Sequence, residues 1–265
     1  MPDLAAGLAH PWLQNALCGA AIVAVVAAIV GTFVVMRGAS FATHALSQIG
    51  FAGAAGAVYA GVPPAFGLIA FSLLGAFGLG ALSLRSRSSD VPTALVLVAS
   101  LGTGALFLAL TDDFGSDVTS FLFGTIVGVA RAQVAVTFVA ALCALAVLAV
   151  IARPLLFATV ARDAARSAGV DVAALDVVFL VVVGLAAAIT VPIVGALLVF
   201  ALTIGPAAAA SRLCTRPAAA FALAIVLGLI AAGCGVALAY ETDWPVGFFI
   251  SAIALLEYVV ARAIR

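Results

Sequence analysis

Lysine is absent from this sequence and charge of either sign is scarce: 11 arginines and 11 acidic residues make up only 8% of 265 residues. An ordinary soluble domain is about 25% charged. Hydrophobic residues instead reach 66%, with a mean hydropathy of +1.37, so too little polar surface exists to cover an apolar core in water. Lipid must be the solvent for most of the exterior. A formal net charge of zero offers no electrostatic basis for a nucleic-acid partner. The N-terminus carries Asp3 and no arginine, so it lacks the basic region of a cleavable signal peptide. The first apolar stretch is therefore expected to stay as a membrane helix.

Other absences narrow the chemistry. Cys18, Cys143, Cys214 and Cys234 show no C-x-x-C spacing, which removes zinc-ribbon and redox-motif readings and leaves small apolar packing residues. There is no phosphate-binding Gly-x-x-x-x-Gly-Lys-Ser/Thr motif, no paired-histidine protease motif and no Gly-x-Ser-x-Gly. An enzyme is not expected. If the chain moves a solute against a gradient, an ion gradient or another subunit must supply the energy.

What the sequence has in abundance is apolar runs. A membrane helix needs about 20 mostly apolar residues, and that ruler gives spans near 14–36, 42–60, 63–83, 92–111, 132–152, 172–191, 194–211, 218–239 and 246–261. Pro63-Pro64, the polar run 85–90 and 242–245 separate spans sharply, and Pro192 is the expected break between the sixth and seventh. The fold class is an all-α polytopic bundle of eight or nine membrane helices, forming a single transmembrane domain over 1–265. If nine spans alternate, ten of the eleven arginines fall on one side, with Arg131 the exception. Asp3, Asp112, Asp113, Asp117, Glu241 and Asp243 fall on the other. Arginine favours cytoplasmic loops, so the N-terminus is expected outside and the C-terminus in the cytoplasm.

Two stretches do not read as spans. Residues 119–131 are too short to cross and suggest a re-entrant or interfacial helix, with Gly124 and Gly128 on one close-packing face. Residues 153–171 form the longest polar segment, and its alanines favour a short surface helix.

Ionisable groups inside a bilayer are costly and so mark candidate sites. His44 and Gln48 stand four residues apart on one face of the second span, with Ser47 beside them. His44 can be a packing histidine hydrogen-bonded across the bundle, or a ligand lining a solute path. Gln48 is a weaker ligand for borderline-soft metals. Glu257, in the last span, is expected to pair with an arginine such as Arg262. Asp90 can cap the helix that begins around Pro92.

The stretch Phe33-Val-Val-Met-Arg37-Gly-Ala-Ser40-Phe-Ala-Thr-His44-Ala-Leu-Ser-Gln48-Ile-Gly-Phe-Ala-Gly53 resembles the signature of metal-type ABC transporter permeases. Ser120-Phe-Leu-Phe-Gly124, Val194-Gly-Ala-Leu-Leu198 and Ala201-Leu-Thr-Ile-Gly-Pro206-Ala-Ala are similar to the same family, in its order. The segment Asp163-Ala-Ala-Arg166-Ser-Ala-Gly169-Val170 resembles the part of such permeases that docks on the ATPase. The resemblance implies a homodimeric permease, a cytoplasmic ATP-binding subunit that hydrolyses the ATP, and an extracytoplasmic metal-binding protein. The permease itself would carry no cofactor. It makes 158–170 the coupling helix, with Asp163, Arg166 and Gly169 at the docking site, and points to zinc, manganese or iron as cargo. Family members commonly place an aspartate and a histidine where this chain has His44 and Gln48, so a negative ligand is lost. Alternatives with the same body are an ion-coupled secondary transporter using His44 and Glu257, or a permease for iron chelates.

Overall fold

The computed structural model describes residues 10–85, 90–111, 129–196, 198–242 and 244–264. Among them are ten helices and no strand. These are α1 (Pro11–Met36), α2 (Ser40–Tyr59), α3 (Pro64–Arg85), α4 (Asp90–Ala109), α5 (Arg131–Val160), α6 (Arg162–Ser167), α7 (Val172–Val194), α8 (Val199–Leu213), α9 (Pro217–Thr242) and α10 (Val246–Ile264). The nine long helices fall on the nine expected spans. Seven are long and apolar enough to cross a membrane unaided; α2 and α8 are not among them. Polar residues lower the hydropathy of α2. At about 1.5 Å per residue, the 15 residues of α8 rise only about 22 Å. The expected helix over 119–131 lies, for 119–128, outside the described residues, as does the Ser120–Gly124 motif.

Prolines mislead about where helices stop. The fifth span, expected over 132–152, continues further: α5 runs through Pro154 to Val160. Leu155 and Ala158 are buried, and that packing offsets the hydrogen bond that proline removes. Pro192 likewise sits inside α7, which ends at Val194. Gly195 makes the break, at φ 93°, a left-handed conformation open to glycine and strained for other residues. Three of the four cysteines, Cys18, Cys143 and Cys234, are exposed rather than packed. A lipid exterior gives an apolar side chain no drive inward.

The chain divides into two compact units. One comprises Met1–Val35, Thr119–Ala141 and Ile189–Arg265, the other Met36–Val118 and Leu142–Ala188. In the first, one apolar cluster joins Leu13, Ala20, Val23 and Ala27 of α1 to Ile193, Leu202, Val236 and Ile250. Trp12 lies 5.6 Å from Tyr240, and Phe33 lies 4.9 Å from Phe221. The start of α1 therefore meets the end of α9, and the end of α1 meets the start of α9, an antiparallel pairing. Gly31 lets α1 touch α8, since an added Cβ would lie 1.9 Å from the Thr203 carbonyl oxygen.

In the second unit α2 is central and packs chiefly on α3 and α4. Added Cβ atoms at Gly53 and Gly67 would each lie within 2.3 Å of the other residue's carbonyl oxygen. The two backbones are in direct contact, the small-residue seam by which helices associate where lipid competes for every apolar surface.

Candidate metal path and coupling site

Helix α2 starts just after a tight turn at Gly38, whose φ is 65°. Almost every residue from Thr43 to Ala57 is buried. Three of them are polar: Thr43, Ser47 and Gln48 are 2%, 0% and 1% exposed. Two of those satisfy themselves within the helix. The Thr43 hydroxyl donates to the Ala39 carbonyl at 3.1 Å, and the Ser47 hydroxyl donates to the His44 carbonyl at 2.8 Å. Lone pairs on Ser47 Oγ remain available. Gln48 is different, because its Oε1 is buried with no hydrogen-bond donor among the described residues. Leaving a buried acceptor unpaired costs about 1–3 kcal/mol. His44 is half-buried one turn earlier. No group of three or more His, Cys, Asp or Glu able to hold a metal occurs among the described residues.

Ser72 of α3, not foreseen from the sequence, is wholly buried and its Oγ also lacks a partner among the described residues. Its Oγ lies against Gly50 of α2, and its backbone carbonyl lies against Gly184 of α7. Its signal was weak, a lone serine in an apolar run. Glu257 corrects an expectation. Among the described residues, both its carboxylate oxygens are buried without a hydrogen-bond partner, and no ion pair with Arg262 forms. Five residues along a helix turn through about 140°, so the two side chains leave different faces. The side chain of Asp90, where a cap was expected, lies outside the described set.

The segment 158–170, expected to dock on the ATPase, holds a shorter helix than its bounds suggested. Residues 158–160 finish α5, and α6 covers only Arg162–Ser167. Asp163 sits in its first turn and Arg166 in its last, the signs that suit the helix dipole. Their mutual approach, 3.9 Å with the Asp163 side chain 99% exposed, is a solvated pair. Ala165 is buried and fixes the helix to its unit. Gly169 ends it: its N–H reaches the Arg166 carbonyl, the Val170 N–H reaches the Ala165 carbonyl, and its φ is 84°. That is a Schellman cap, so Gly169 shapes the segment. Asp171 Oδ1 then accepts from the N–H groups of Ala173 and Ala174 and caps α7.

The strongest polar cluster joins residues the sequence left apart. Arg37, in the turn before α2, pairs with Asp176 of α7. It also donates to Thr159 Oγ1 at 3.1 Å and lies 5.2 Å above the Phe179 ring. The other Asp176 oxygen accepts from Arg162 of α6 at 2.5 Å. Burial pushes the Arg37 pKa below its ordinary value, and Asp176 acts in the opposite sense. The sequence signal was present but faint: Asp176 is the one charged residue in α7, and such a group needs a partner.

Residues 9–265 match the ABC 3 transport family. The chain belongs to that family. It is a multi-pass membrane permease of an ATP-binding cassette transporter, which removes the ion-coupled secondary transporter from contention. A manganese transport system membrane protein, MntC of Halalkalibacterium halodurans, is 26% identical over 96% of this chain and 87% of that protein. A chelated iron transport system membrane protein, YfeC of Yersinia pestis, is 26% identical over 95% of this chain and 86% of its own length. Among solved structures, PsaBC from Streptococcus pneumoniae in complex with Fab aligns with a TM-score of 0.86 and 25% identity, covering 95% of this chain and 91% of that one.

Proposed function

We propose that this ABC 3 family chain is the permease subunit of a divalent transition-metal importer in the cytoplasmic membrane, working as a homodimer with a separate ATP-hydrolysing subunit and an extracytoplasmic metal-binding protein. The observation that carries the metal reading is the unpartnered Gln48 oxygen in the most deeply buried polar stretch, one helical turn from an imidazole. A divalent ion cannot enter hydrocarbon bare, so a path must replace its hydration shell with polar groups or water. Gln48 Oε1, His44 and Ser47 Oγ supply such groups in a set too sparse to trap the ion. Carbonyl oxygen suits manganese, and imidazole suits iron and zinc. Manganese is the first cargo to test, with zinc and iron, including chelated iron, as the alternatives.

The exposed face of α6, with Asp163 and Arg166, docks on the ATPase in this reading. That places the N-terminus outside and the C-terminus in the cytoplasm. The antiparallel pairing of α1 with α9 and the meeting of Arg37 with Arg162 at Asp176 support the alternating topology. Uptake of radioactive manganese, zinc and iron by cells with and without the permease and its ATPase tests the proposal. Manganese accumulation that needs both subunits, and falls in His44→Ala with normal assembly, is the expected result. Unchanged uptake in His44→Ala demotes that residue to packing.

A further inference from the structure

The Arg37, Asp176 and Arg162 cluster is absorbed neither by the metal path nor by the docking face, yet it touches the elements that carry both. Arg162 is the first residue of α6 and Arg37 ends at the turn into α2, seven residues before His44. Asp176 offers one oxygen to each. Arg37 and Asp176 are mostly buried, with side chains 9% and 13% exposed, while Arg162 is 46% exposed. Thr159 adds a fourth contact: its hydroxyl donates to the Leu155 carbonyl at 2.6 Å while its oxygen accepts from Arg37. The fixed part of the cluster is thus the Arg37–Asp176 pair, and the part that reaches the surface is Arg162.

We propose that Asp176 is a positioning residue that fastens the α6 segment to the entry of α2, so that displacement of α6 is passed to the helix carrying His44 and Gln48. The proposal rests on the docking role given to α6. A direct ion-paired link has the geometry for this task, because Arg162 and Arg37 share one carboxylate and neither can shift without straining the other's pair.

Arg162→Gln is the cleaner variant, since it removes the exposed arm and leaves the buried Arg37–Asp176 pair intact. Asp176→Asn tests the hub itself. The permease and its ATPase are reconstituted in vesicles, with Mn2+ as the probe and the delivery protein supplied. Complex recovery, ATP hydrolysis and Mn2+ carried per ATP are then measured. Arg162→Gln is expected to keep complex recovery and hydrolysis near wild type while Mn2+ per ATP drops at least about fivefold, the low end of ordinary coupling effects. Arg162→Lys, which retains a cation, is expected to recover most of that ratio. An unchanged Mn2+ per ATP in Arg162→Gln, or a loss of transport only in proportion to lost complex, overturns the proposal. The docking role is read separately from Ala164→Arg on the exposed face of α6. If that variant still binds the ATPase fully, the docking reading fails and this proposal fails with it.

Discussion

Helices α1 and α2 are buried to a similar degree in their respective units, but they bury different chemistry. The buried face of α1 is mostly alanine and valine, with Leu13, Phe33 and two glycines, and its buried polar side chain, Thr32, donates to the Ala28 carbonyl at 2.7 Å. Helix α2 buries three polar side chains. Thr43 and Ser47 resolve themselves as Thr32 does, by bonding back to their own helix. Gln48 does not. A buried hydroxyl turned onto its own backbone is a packing solution common in membrane helices, so polarity under burial does not by itself mark a path. An acceptor left open is different, because leaving it open is costly, and at Gln48 it stands one turn from His44 in the proposed path.

The two helices should respond alike where packing is concerned. Gly31→Leu in α1 and Gly53→Leu in α2 each drive a side chain into a neighbouring backbone. Each is expected to cost about 3 kcal/mol or more and to abolish recovery of folded protein from detergent extracts. Tolerance of Gly53→Leu would mean that α2 and α3 are not in backbone contact. Smaller effects should separate the helices. Ser47→Ala is expected to change the melting temperature little and to lower manganese uptake a few fold, since only lone pairs of that oxygen are lost to the path. Gly169→Ala sharpens a third point, because a left-handed alanine costs about 1–2 kcal/mol. A shift of a few degrees in thermal unfolding is expected, with the ATPase still bound if Gly169 acts through shape. Thr32→Val should be the mildest, costing at most about 1 kcal/mol and leaving uptake intact; a loss of uptake there would erase the contrast between the helices.

Most of the fold was legible in the sequence, since a 20-residue apolar run in a chain this poor in charge has few other readings. The failures have specific causes. Pro192 looked like a stop and the fifth span was expected to end near 152, but buried neighbours carried both helices further, and glycine at 195 made the actual break. The pairing of Glu257 with Arg262 failed on helical phase. The polar face of α2 was visible because helix spacing alone brings His44 and Gln48 together. The Asp176 cluster was not, because its members are 139 and 14 residues apart and no local periodicity links them. Ser72 was invisible for a related reason, since what distinguishes it is the close approach of α2 at Gly50 to its hydroxyl.

The claim that α2 carries the cargo is tested most directly by Gln48→Leu, followed by thermal unfolding and manganese uptake on the same preparation. Removing an unpaired buried acceptor should leave stability unchanged or raise it by about 1 kcal/mol, while uptake falls close to the level of cells lacking the permease. Undiminished uptake in a stably folded Gln48→Leu protein would contradict it.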